Sequence, residues 1–261
     1  MRRWLRRVGV WAAAACWLLC SGGGAREAGG AAAMAADPPL AALTFDDGPR
    51  KDATGRLLEG LALREVPATF FLVGRRVAGN EELLRTMAAG GHQIGIHTYD
   101  HTKLAGLDRA RVAQQLDRSR AELTRVLGPG DYWLRPPYGL MDRAQAVWAG
   151  SPLILWSVDP EDWRDHDAAR IAAAVLDRVQ DGDIILLHDI YQNSVDAALA
   201  IADGLLARGY CLVTVEQLFA LRGVEPENLT LSVQQYRAMR RPLSVGQTTG
   251  SSHAFYARIN R

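Results

Sequence analysis

"LAALTFDDGPR", residues 40–50, decides how the rest of the chain reads. A six-residue run, five of it aliphatic or aromatic and Thr44 β-branched, bounded by turn residues, has the length and composition of a buried β-strand. Two carboxylates, Asp46 and Asp47, follow where the apolar run ends, and Gly48-Pro49 breaks the chain immediately after them. Asp-Gly-Pro is ordinary turn chemistry, so both aspartates could be solvated turn residues. The other reading is that they carry chemistry at the carboxyl end of a strand, and the rest of the sequence has to choose between the two.

Working outward, similar runs recur at "ATFFLV" (68–73), "QIGIH" (93–97), "YWLR" (132–135), "LILWSV" (153–158), "DIILLH" (183–188) and "CLVTV" (211–215). Between most of them lie amphipathic segments of helical period, such as residues 108–128 and 194–209. Strands alternating with helices argue for an α/β fold of parallel βα units, and seven such runs suggest a barrel or a doubly wound sheet. In both architectures the ligand site lies outside the carboxyl ends of the strands. Asp46 and Asp47 follow the first run, His97 ends the third with His101 just beyond, and Arg135 ends the fourth. Asp159 and Asp162 follow the fifth, and His188 and Asp189 close the sixth. Five strand ends with ionisable groups are expected to converge on one rim.

Composition narrows the class. The 261 residues are 48% hydrophobic, enough for one large core. Thirty Lys+Arg against 29 Asp+Glu leave a net charge of +1, which excludes the basic footprint of a nucleic-acid binder. Residues 1–36 differ in composition: Arg2, Arg3, Arg6 and Arg7 precede the short apolar run "VGVWAAAACWLLC" (8–20) and a Gly/Ala-rich stretch. That pattern predicts an export leader, cleaved near Ala36 or kept as the chain's one membrane attachment. The expected location is extracellular or the cell envelope. Cys16 and Cys20 fall in the leader, so Cys211 is the one thiol expected in the mature chain, where it reads as a small buried hydrophobe. Residues 223–261 lack sustained periodicity and predict a partly disordered tail or a wall contact. The catalytic domain is expected over 37–222, as a monomer.

"HTYDH" (97–101) carries the second piece of chemistry. Histidines at i and i+4 share a face if the segment turns helically, and neutral imidazoles at that spacing can hold one metal ion. With a carboxylate from another strand end they form a His₂Asp set, the three-ligand pattern of a catalytic zinc site with an open position.

"TFDDGP", "HTYDH", "RPPYG" (135–139), "DPEDW" (159–163) and "LLH" (186–188) together resemble the five ordered motifs of the NodB-like polysaccharide deacetylases, carbohydrate esterase family 4. The resemblance spans roughly residues 40–220 and implies a distorted (β/α)7 barrel, the NodB homology domain. It implies one divalent metal ion, zinc foremost and cobalt as the alternative, held by Asp47, His97 and His101. Asp46 corresponds to the general base, His188 to the general acid, and Arg135 to the arginine that braces the acidic network. Asp162 matches a carboxylate paired either with Arg135 or with the catalytic histidine. The Tyr138 backbone resembles an oxyanion donor and Trp163 a wall of the sugar groove, while Leu186 or Leu187, with Leu187 preferred, shapes the acetyl pocket. Thr102 departs from the proline that many members carry after the second histidine. His92 reads as structural, His166 as solvated, and Trp133, Trp148 and Trp156 as core or flank.

The implied activity is hydrolysis of the acetamide of N-acetylglucosamine-type sugars in a polymer, foremost peptidoglycan. Chitooligosaccharide and acetylxylan remain alternatives on the same scaffold, as does a non-catalytic glycan-binding relative. An unrelated barrel amidohydrolase would be expected to place His-x-His on the first strand, where this chain has Asp46-Asp47.

Overall fold

β1 (Leu40–Asp46) is buried along its whole length and forms the centre of the molecule in the computed structural model, which describes residues 37–224. Residues 1–36, read as an export leader, and residues 225–261, in the stretch read as a tail, lie outside the described residues. After β1 come β2 (Thr69–Leu72), β3 (Gln93–Ile96), β4 (Asp183–His188) and β5 (Cys211–Leu212). Every pairing is parallel, in the order β3-β2-β1-β4, with β5 against the start of β1.

The remaining two apolar runs contribute single bridges where strands were expected. Leu134 bridges Ile96 on one side and Leu153 on the other, and Val158 bridges Ile185 of β4. These bridges carry the sheet from β3 back to β4, so it closes on itself as a distorted barrel. The irregularity has a local cause: Pro136 and Pro137 follow Arg135, and Pro152 precedes Leu153. Proline has no N–H to give a ladder, so pairing stops at those positions.

The helices are α1 (Lys51–Ala62), α2 (Glu81–Ala89), α3 (Arg109–Leu127), α4 (Arg143–Ala149), α5 (Ala168–Leu176), α6 (Gln192–Ala207) and α7 (Val215–Leu221). Among the described residues no helix is long and apolar enough to cross a membrane.

The period-2 alternation of the strands divides the core in two. Leu43 and Phe45 of β1 and Ile185 and Leu187 of β4 pack outward with Leu57 and Leu61 of α1 and Ile201 and Leu205 of α6. Ala42 and Ile184 point inward, against Phe71, Trp133, Ile154 and Phe219. Each fully buried Phe or Leu here contributes about 1.5–3 kcal/mol. On the inward face of β1, Thr44 and Asp46 continue the line begun by Ala42. Asp46 is the Cα partner of His188, so the two face each other across neighbouring strands at the barrel mouth. Cys211 is buried on β5, among the inward-packing residues.

Candidate active site

Asp46 is buried at 3% exposure and its charge is met by Arg135, whose Nη1 donates to Asp46 Oδ1 at 2.8 Å. Arg135 is itself fully buried. It also donates from Nη1 to Thr44 Oγ1 (2.7 Å), from Nε to the Ile154 carbonyl (3.2 Å) and from Nη2 to the Leu155 carbonyl (3.0 Å). Its guanidinium lies 4.2 Å from the Phe71 ring centroid. A buried arginine with this many acceptors cannot move independently of them, so Asp46 is fixed in direction as well as in charge.

Asp47 turns the other way, in a left-handed conformation with φ of 74°. Its Oδ1 lies 3.1 Å from His101 Nε2 and 3.7 Å from His97 Nε2. The two imidazoles are tilted at 51° with centroids 5.0 Å apart. A helical turn, the condition under which the i, i+4 spacing would give a shared face, is not what brings them together. The segment is an irregular loop in which Thr98 (φ 59°) and His101 (φ 68°) are left-handed. Gln115 of α3 braces it, its Oε1 accepting from the N–H groups of Tyr99 (2.9 Å) and Asp100 (3.3 Å). A left-handed residue without glycine costs about 1–3 kcal/mol and persists only where the surroundings impose it.

The residues present fit a divalent cation. The three candidate ligand atoms of Asp47, His97 and His101 lie within 4.8 Å of one another, and Asp47 Oδ1 is buried without a hydrogen-bond partner. Tetrahedral zinc at about 2.1 Å from each donor spaces its ligands roughly 3.3 Å apart, which the two distances from Asp47 bracket. His97 Nδ1 faces the Arg135 carbonyl at 2.7 Å, so it carries the proton and leaves Nε2 as the lone pair. Burial foremost holds the His97 pKa below its ordinary value, against the pull of Asp46 and Asp47, which keeps the ring neutral.

His188 is built for the opposite state. Its Nδ1 donates to Asp162 Oδ1 at 2.8 Å, and its backbone N–H donates to Asp162 Oδ2, also at 2.8 Å. Burial alone would lower the imidazolium pKa, but the Asp162 hydrogen bond and the charges of Asp162, Asp46 and Asp47 outweigh it and raise the pKa to about 9. Of the two partners considered for Asp162, the structure selects His188, because Arg135 is committed to Asp46. Asp159 sits beside this pair: burial first, then the Asp162 charge, raise its pKa, while the Glu161 N–H it accepts opposes the shift.

The other expected residues divide. Tyr138 (φ 61°) stands edge-on to His101 with ring centroids 4.9 Å apart, and Trp163 is 52% exposed on the rim. Leu187 does not reach the site: it is the register partner of Phe45 and packs in the outer core, on the face opposite His188. Leu186, two residues before His188, shares the histidine's face. His92 is structural, its Nδ1 accepting the Ala68 N–H at 3.0 Å and burial lowering its pKa to about 4. Trp133 is core, edge-on to Phe219, and His166 is exposed.

A family model described as polysaccharide deacetylase matches residues 33–149. A chitooligosaccharide deacetylase of Bradyrhizobium sp. (strain ANU 289) is 40% identical over 153 residues, which is 57% of this chain and 70% of that protein. The chain belongs to the polysaccharide deacetylase family. A peptidoglycan-N-acetylmuramic acid deacetylase of Bacillus subtilis (strain 168), PdaC, is 38% identical over 177 residues, 68% of this chain. This polysaccharide deacetylase chain spans only 38% of the length of that relative. A solved structure described as a T48 deacetylase with substrate superposes with a TM-score of 0.72 at 37% identity, covering 77% of this chain and all of that one.

Two features of this family member, Thr44 and Gln115, were not read from its sequence. Thr44 lies between Arg135 and β4, its Oγ1 donating to the Ile185 carbonyl at 2.7 Å. Its place two residues before Asp46 on the same face was the available signal. Gln115 is a buried polar residue on an otherwise ordinary helix, and nothing local marks it. Asp189, fully buried, supports the Asp47-Gly48 turn from below. Burial pushes its pKa up to about 7, against the hydrogen bond from Thr54 Oγ1 at 2.5 Å, with the Asp47 charge adding to the rise. A Cβ placed on Gly48 would lie 2.3 Å from both Asp189 carboxylate oxygens, so only glycine fits that turn.

Proposed function

We propose that the chain is an exported, metal-dependent N-deacetylase that hydrolyses the acetamide of N-acetylglucosamine-type sugars in a cell-wall polymer, foremost peptidoglycan. One observation carries the reading: a three-donor cation set lies beside two ionisable groups in register across β1 and β4, braced to opposite charge states. Asp46 is held by a guanidinium and His188 by a carboxylate. Amide hydrolysis needs that division, since one group must take a proton from water and the other must give one to nitrogen. The peptidoglycan deacetylases among the relatives support the substrate, and the Arg-rich, apolar residues 1–20 support export, with 37–222 as the catalytic domain.

Asp47, His97 and His101 would hold the cation, zinc by the chemistry of an oxygen and two imidazoles, with cobalt as the alternative. A divalent ion there supplies Lewis acidity, which acidifies water and polarises the acyl oxygen. Asp46 Oδ2, the oxygen that Arg135 leaves free, accepts the proton of the attacking water. His188 donates from Nε2, because Asp162 holds the proton on Nδ1. The Tyr138 backbone N–H, in the Pro137–Gly139 turn, would serve as the donor to the developing oxyanion, and Trp163 would form one wall of the glycan groove.

The test is acetate release by the purified chain from peptidoglycan, chitooligosaccharides and acetylxylan measured side by side. The expected result is release from peptidoglycan that is lost on chelation, restored by zinc or cobalt, and abolished by Asp46→Asn. Release that survives both chelation and Asp46→Asn overturns the mechanism, and release from acetylxylan alone overturns the substrate.

A further inference from the structure

A cavity of about 360 Å³ opens next to the catalytic loop, lined by Pro49, Arg50, Lys51, Arg76, Asn80 and Ile190. It shares that loop's framework: Arg76 Nη1 donates to the Asp47 carbonyl at 2.9 Å and Arg50 Nη1 to the Ile190 carbonyl at 2.8 Å. Those bonds go to neutral carbonyls. Among the described residues no ion pair joins Arg50, Lys51 or Arg76 to a carboxylate, whereas Arg56, Arg64, Arg125 and Arg170 each have one. The acidic residues near in sequence, Asp47, Asp52, Glu81, Glu82 and Asp189, do not line the cavity; Glu81 and Glu82 are engaged by Arg125 and Arg85, and Asp189 is buried against Thr54. Three cations around a concave surface whose lining holds no carboxylate raise the local concentration of anions. The buried Pro49 and Ile190 add an apolar floor.

We propose that this cavity is an anion subsite that holds a carboxylate carried by the glycan substrate itself, so that the chain favours acidic acetylated glycans over neutral ones. The inference rests on the deacetylase reading above and sharpens its substrate class. Paired arginines suit the planar geometry of a carboxylate, and the apolar floor suits the short alkyl group beside it in a lactyl ether or an amino acid. A neutral oligosaccharide would leave the three cations unpaired.

The experiment uses the full zinc-loaded chain and peptidoglycan fragments in two forms, with free carboxylates and with the same carboxylates converted to methylamides. Binding is read by calorimetry on the Asp46→Asn chain, and acetate release on the unsubstituted one. The free-carboxylate form is expected to bind roughly tenfold more tightly, a preference that shrinks with added salt. Lys51→Gln, at an exposed position, and Arg50→Gln are each expected to move that ratio towards one. Equal binding of the two forms, or a ratio that neither substitution moves, overturns the subsite. Tighter binding of glycerol phosphate oligomers than of the acidic fragments overturns it in favour of a phosphate-bearing polymer. A binding preference without acetate release from any fragment leaves the subsite standing and overturns the deacetylase reading alone.

Discussion

At the scale of single residues, the site is two opposed electrostatic decisions. Asp162 decides the protonation of His188, accepting from both its ring Nδ1 and its backbone N–H. Asp162→Asn keeps the shape and removes the charge, so the alkaline limb of the pH–rate profile is expected to fall from about 9 towards the ordinary histidine value near 6.5. The maximal rate should drop by roughly 10²–10⁴, the range for disabling a general acid. The same pair contributes to stability. The folded chain holds this proton up to about pH 9, whereas the unfolded chain releases it near 6.5. Stabilisation is therefore complete below pH 6.5 and is lost as pH rises through 9, on the order of 3 kcal/mol. Denaturant midpoints of the original and Asp162→Asn chains at pH 6 and pH 10 check this: their difference should be large at the lower pH and nearly vanish at the higher. An equal difference at both would mean that the pair is not charged.

At the scale of elements, rigidity is concentrated where regular structure is weakest. The barrel's irregular side, residues 132–135 and 153–158, has isolated bridges, and Arg135 ties it to β1 through the Ile154 and Leu155 carbonyls, Thr44 and Asp46. Arg135→Met removes the charge that meets Asp46 together with the donors to the other acceptors, which is expected to destabilise the fold by about 3–5 kcal/mol. Amide exchange over 153–158 should accelerate more than exchange in β1 or β2. The β1–α1 turn is as constrained, because Gly48 packs on Asp189, which Thr54 holds in place. Gly48→Ala should displace Asp46 and Asp47 and cost most of the activity, and Asp189→Ala in the same chain should return part of it. Additive losses in the double variant would show that the two do not act through contact. These elements also show what was legible in the sequence. The strand ends and their chemistry were, because apolar runs stop abruptly at ionisable residues. The loop geometry was not: "HTYDH" has helical spacing, yet left-handed residues and Gln115, contributed by a different element, set its shape. Leu187 was misassigned because adjacency to His188 says nothing of strand parity. The register Asp46↔His188 supplies that parity and puts Leu186 on the inner face.

At the scale of the whole molecule, the barrel mouth gathers more negative than positive charge. Asp46, Asp47 and Asp162 approach one another there, and Arg135 and His188 answer only the first and third. Asp47 Oδ1 stays buried and unpartnered. A fold that assembles such a mouth carries a repulsion that a divalent cation would relieve, so cation binding should be visible as stability independently of turnover. Ligand that binds only the folded state stabilises by RT ln(1 + [L]/Kd), about 4 kcal/mol at a thousandfold excess over Kd. For a domain of this size that corresponds to a rise of roughly 10 °C in Tm. Chelator-treated protein titrated with zinc is expected to gain that increment, and Asp47→Ala is expected to gain almost none while melting no lower than the chelated original. The sign for Asp47→Ala follows from the missing partner: without the cation its carboxylate is a cost, so its removal should not destabilise the fold. The increment should fade in acid, where protonated imidazoles no longer ligate. Identical melting of the original chain with zinc and with chelator would mean that the folded chain binds no zinc, and would overturn the site at Asp47, His97 and His101.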